Sequence, residues 1–141
     1  MSDELIGVIY ALPTYLIDRF FRGKKHTFVK YLGRQPTTRL APGHKIIFYA
    51  SHDKKQLLGE ATIHTIDFLV PSEVPQRFAR SLFLTAEEFA AYTGKRLQKP
   101  LMVLQLQKIR IYPVPIASPV TVTMAGRYIH SDSYDRLLNV L

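Results

Sequence analysis

Cysteine is absent from the 141 residues, which removes disulfides, thiol nucleophiles and thiolate metal ligands in one step. Tryptophan is absent too, and glycine is limited to seven positions. No GxxxxGK phosphate loop and no dinucleotide fingerprint occurs. No apolar run approaches the ~18–20 residues needed to span a bilayer. The opening MSDELIG carries two acids and no basic stretch, so no secretory leader is expected. Acids are scarce as well: 11 Asp and Glu face 19 Lys and Arg, a net charge of +8. These absences predict a soluble, cytoplasmic protein without thiol chemistry or membrane contact.

Enough apolar material is present to fold. Hydrophobic residues make up 47% and charged residues 21%, a globular and not a disordered balance. The length fits a single domain over 1–141. The basic excess favours polyanionic partners, nucleic acid foremost. It is also unevenly placed. Arg19, Arg22, Lys24, Lys25, Lys30, Arg34, Arg39 and Lys45 crowd one third of the chain, opposed only by Asp18.

The stretch Leu40 to Ile66 reads as a central hairpin. Pro42-Gly43 is a turn pair. His44 to Ala50 is a β-branched and aromatic run of buried-strand character. The polar Ser51 to Gln56 is a connecting loop, and Leu57 to Ile66 returns antiparallel, with Gly59 marking a bulge or close approach.

Around it, Leu5 to Leu12 is an entry strand ended by Pro13. Thr14 caps a short helix, YLIDRFFRG, stopped by Gly23. His26 to Leu32 alternates as a half-buried strand, and Gly33 to Arg39 is a basic loop. Asp67 to Val74 leaves the sheet, and Glu73 to Ser81 holds a short helix. Thr85 to Glu88 is a capping box opening a helix that ends near Tyr92. Leu101 to Tyr112 is the longest strand, Val114 to Met124 a proline-broken edge strand, and Ser133 to Leu141 a terminal helix plugging an open end. The order predicts an α+β fold: a small, mixed, mainly antiparallel β-barrel with short helices covering its ends.

The central PGHKIIFYAS followed by LLGEATI resembles the equivalent hairpin of the PUA-like superfamily, in its EVE and ASCH branches. GVIYALP, the basic GKKHT and LFLTAEEFAAY extend the likeness over nearly the whole chain. Together they are similar to an uncharacterised archaeal family of small PUA-like proteins. The chain lacks the tryptophans usual near the EVE pocket.

The resemblance implies a pocket where the first strand, first helix and central hairpin meet. It would gather Tyr10, Lys24, Lys25, Thr27, Tyr49, Ser51 and Glu60; the basic segment adds Arg22 and Arg34 to the expected nucleic-acid contacts. An exposed aromatic there stacks on a base, and lysines hold phosphate as point charges. The alternative for Tyr10 and Tyr49 is a core position. Glu60, a carboxylate in an otherwise apolar strand, needs a partner, and Lys24 or Lys25 is the expected one.

The leading expectation is thus an RNA-binding module that reads a modified or flipped-out nucleotide, with transfer and ribosomal RNA among the partners considered. An alternative follows from the ASCH resemblance: an amidohydrolase acting on acylated cytidine, with Lys24, Lys25, Thr27 and Glu60 as its catalytic group. A protein-interaction module is the third reading. No cofactor is expected. No metal site is expected either, since His26, His44, His52, His64 and His130 lack ligand spacing.

Overall fold

The computed structural model describes residues 3–33, 38–52 and 54–141; Arg34, one of the expected phosphate contacts, lies outside them. The chain opens with strand β1 (Leu5–Leu12), helix α1 (Thr14–Phe21) and the short strand β2 (Thr27–Lys30). The central pair follows as β3 (Lys45–Ala50) and β4 (Gln56–Leu69). Then come α2 (Glu73–Phe78), α3 (Ala86–Thr93), the long β5 (Leu101–Ile116), β6 (Arg127–His130) and α4 (Ser131–Leu138).

The continuous apolar run of β3 has a physical cause. Ile46, Phe48 and Ala50 belong to one hydrophobic cluster, while Ile47 and Tyr49 pack with a second. Alternate side chains of this strand therefore both meet core, as expected where helices cover both faces of a sheet. In the larger cluster Phe20 of α1 stacks on Phe48 and Phe83 with ring centroids 5.1 Å away in each case. Aromatic pairs at this separation add to their area burial. The second cluster is completed by Ile129 and by Leu137 of α4.

The six strands form one sheet in the order β2-β5-β4-β3-β1-β6. β3 and β4 pair antiparallel as expected, and β1 joins β3 in parallel, Val8 opposite Ile46 and Tyr10 opposite Phe48. Gly59 sits at register shifts on both sides of β4. A Cβ there would lie 2.5 Å from the Arg110 carbonyl and from the Phe21 ring, so the close approach read from the sequence is required.

The mixed, mainly antiparallel α+β architecture stands, with one correction: the sheet does not close into a barrel. β2 and β6 lie at its two ends and do not pair with each other. The sheet curls far enough that Tyr10 of β1 stacks on Phe28 of β2 at 5.4 Å, through side chains alone.

Other departures are local. Pro13, not Thr14, is the residue before α1, and no side chain caps that helix. Val114 to Ile116 continues β5 opposite Leu57, and the edge place expected for Val114 to Met124 goes to β6. β4 runs on to Leu69 because β5 is long enough to pair with it. α4 begins at Ser131, two residues before the expected start. Asp3, at the other end of the chain, accepts from the Ser131 hydroxyl at 2.8 Å and the Asp132 amide at 3.1 Å. That long-range cap also holds the Asp3 carboxyl below its ordinary range. Among the described residues, no helix is long and apolar enough to cross a membrane.

Candidate nucleic-acid interface

The expected pocket does not assemble. Tyr10 and Tyr49 are one residue out of step across the β1–β3 pair, so they face opposite clusters. Tyr10 is 5% exposed and Tyr49 half-buried against the second cluster. Ser51 follows β3 in a turn, its amide donating to the Leu12 carbonyl. Arg22 is exposed and already paired at 2.5 Å with Asp18, one helical turn away. Lys24 is exposed at a positive φ of 59°. Lys25 donates to the Arg80 carbonyl at 2.8 Å.

The catalytic grouping is corrected in the same way. Thr27 is fully buried, its hydroxyl bonded to Ser81 at 2.6 Å and Gln105 at 3.0 Å. Glu60 is 2% exposed and accepts from the Tyr112 and Tyr134 hydroxyls at 2.9 Å. Its cationic partner is Lys45 of the neighbouring strand at 3.3 Å, not Lys24 or Lys25. Thr27 pairs with Gln105, which pairs with Thr65, five residues along β4 from Glu60. At about 3.3 Å per residue that separates the two groups by on the order of 15 Å. They cannot share one substrate.

What the curl of the sheet builds instead is a cleft where the barrel fails to close. Two cavities of about 150 and 140 Å3 lie there. Val8, Tyr10, Leu32, Gly126, Arg127 and Tyr128 line the first, among others. Leu16, Phe28, Lys30, Phe83, Tyr92 and Met124 contribute to the second. Lys30 joins them: its ammonium lies 5.2 Å from the Tyr10 ring centroid and donates to the Met124 carbonyl at 2.9 Å. Gly126, at a φ of 86°, lies so close to the Tyr10 ring that a Cβ would sit 2.5 Å from it.

Cations and aromatics alternate around this cleft. Arg39 lies 5.0 Å from the Tyr128 ring centroid. Arg96 lies 4.0 Å from that of Tyr31 and 5.4 Å from that of Tyr92, with Lys99 5.6 Å from Tyr31. Burial lowers the Lys30 pKa and raises that of the Tyr10 and Tyr92 phenols, which therefore stay protonated and able to donate. Of the expected site residues only Tyr10 lines the cleft. Lys30 belonged to the basic segment but not to the expected pocket, although its spacing of two from Phe28 puts both on one side of β2. Arg39 likewise belonged only to the basic segment, while Arg96, Tyr92 and Tyr128 carry no local signal and are brought in from distant segments. Among the described residues no group of three His, Asp or Glu side chains is arranged to hold a metal. His44 instead accepts from the Ala41 amide within its own turn.

The fold is similar to that of a solved ASCH protein. Over 99% of this chain and 99% of the other, it superposes on a mutant form of the ASCH protein from Zymomonas mobilis with a TM-score of 0.82. A further structure of that protein gives 0.80 over 96% and 95% of the two chains. A protein of the DUF984 family from Enterococcus faecalis V583 gives 0.59 over 79% and 86%. Identity is 16% in all three, so the likeness is one of fold. A family model described as "Domain of unknown function (DUF365)" matches residues 5–131, and the chain belongs to that family. An uncharacterized protein of Methanocaldococcus jannaschii is 35% identical over 107 residues, covering 69% of this chain and 99% of that protein.

Proposed function

We propose that this chain is a PUA-like RNA-binding module that holds single-stranded RNA along the open cleft between β2 and the β1–β6 edge. The observation that carries this reading is the alternation of cations and aromatic rings around two ring-sized cavities. Aromatic faces stack bases at about 1–3 kcal/mol each, and neighbouring Lys and Arg hold the backbone. The net charge of +8 supplies long-range attraction to a polyanion. A flipped-out or modified nucleotide is the ligand such a cavity suits, the sugar and phosphates staying outside with the cations.

The acyl-cytidine hydrolase has no support in the geometry, since Thr27 and Glu60 are bound into separate networks. A protein-interaction role leaves the ring-sized cavities and their cations without a purpose.

The test is binding of a labelled single-stranded oligoribonucleotide, followed by fluorescence anisotropy across a salt series. Affinity should fall steeply with salt. Arg39→Gln with Arg96→Gln should flatten the log–log slope by about 0.7 for each phosphate that is no longer neutralised. Replacing Lys24 and Lys25, away from the cleft, should change the slope less. Absence of binding at low salt, or affinity indifferent to salt, would remove the RNA reading.

A further inference from the structure

We infer that the cleft selects bases by hydrogen-bond polarity: beside Lys30 it admits a ring carbonyl, as at C4 of uracil or C6 of hypoxanthine, and rejects an exocyclic amine at the same place, as in cytosine or adenine. The inference rests on the RNA reading above and specifies the ligand of that same site.

The polar side chains that line the two cavities are Lys30, Arg127 and the hydroxyls of Tyr10, Tyr92 and Tyr128. Among the described lining residues there is no Asp, Glu, Asn or Gln. Lysine carries three N–H donors and no acceptor in its charged form, and arginine is donor-only. Lys30 gives one donor to the Met124 carbonyl at 2.9 Å. Its remaining donors are left for a ligand. The Tyr92 and Tyr128 oxygens already accept, from the Tyr31 amide at 2.8 Å and the Arg39 amide at 3.2 Å. Each keeps its own O–H to give.

The lining is therefore rich in donors and poor in acceptors. A carbonyl oxygen entering beside Lys30 finds a partner. An amine entering at the same place meets the Lys30 ammonium donor against donor. Phenol oxygens are the only side-chain oxygen acceptors among the described lining residues, so the amine gives up water for little in return, the costly half of the hydrogen-bond asymmetry. Uracil and cytosine have nearly the same size and differ at this edge, so packing cancels between them and polarity decides. Negative selection of this kind comes from the unpaired group, not from extra attraction to the right one.

The experiment compares uniform oligo-U with oligo-C by anisotropy at one salt concentration, and inosine with adenosine at a central position of an otherwise fixed oligomer. Native protein should bind U over C, and inosine over adenosine, by about tenfold or more. Lys30→Met keeps the apolar stem and removes the donors. It should bring U and C within about threefold of each other, chiefly by weakening U. Equal affinities in native protein, a preference for C, or a U-to-C ratio unchanged in folded Lys30→Met would overturn the inference. The native comparison needs no variant, so it decides even where Lys30→Met does not fold. RNA binding that is salt-dependent yet blind to the base would sink this inference and leave the RNA reading standing.

Discussion

Glu60 shows how a single residue acquires partners that its neighbours in sequence do not announce. It occupies a strand whose surroundings are apolar, and a carboxylate there is tolerated only with hydrogen bonds and a countercharge. The fold supplies Tyr112 from β5, Tyr134 from α4 and Lys45 from β3. Burial, then the adjacent carboxylate, pushes both phenols up, so they remain protonated donors through the physiological range. Removing the carboxylate takes the acceptor from the Tyr112 and Tyr134 hydroxyls, while Lys45 loses its countercharge but keeps the Thr62 hydroxyl at 3.1 Å. Glu60→Ala should therefore lower stability by about 2–4 kcal/mol in urea unfolding. Glu60→Gln, which keeps one acceptor oxygen, should cost less. Equal costs for the two would mean that the hydrogen bonds to this side chain are not what stabilises it.

At the scale of elements, α3 joins local and distant design. Its capping box is complete: Glu88 donates its amide to the Thr85 hydroxyl, and the Glu88 carboxylate accepts from the Thr85 amide. That much is written in four consecutive residues. The same carboxylate also receives the Arg19 guanidinium of α1 as a two-pronged pair, at 2.5 and 3.2 Å, tying the two helices together. The Arg19 hydrogen bond first, then the Thr85 amide, holds the Glu88 carboxyl down at about 2, from an ordinary 4.5. A carboxyl depressed in the fold stabilises above its unfolded value and loses that contribution as pH falls through the folded one. Melting temperature should thus drop between about pH 4.5 and 2, and Glu88→Gln should flatten that part of the profile. A native profile already flat over this window would count against the pair.

For the whole molecule, stability should be graded across the sheet. β3 and β4 lie inside it with fully buried residues such as Ile46, Phe48, Ala61 and Ile63. β6 is a four-residue edge strand, and α4 beyond it fully buries one residue, Leu137. Amides of Ile46 to Phe48 and Ala61 to Ile63 should be among the slowest to exchange, and those of Arg127 to Leu138 among the fastest. Exchange at β3 as fast as at β6 would overturn this picture of the core. The central hairpin, the helix box at Thr85 and the basic balance were legible in the chain alone. Each is a matter of local spacing: turn residues, strand alternation and capping act within a few positions of one another. The start of α4 at Ser131, the Lys45 partner of Glu60 and the cleft were not, because each depends on which strands become neighbours and in what register. One step along β1 puts Tyr10 on the cleft side while Tyr49 faces away. Only the curl of an unclosed sheet brings Lys30, Tyr10, Arg39 and Tyr128 around one opening, since their contacts join segments far apart in sequence.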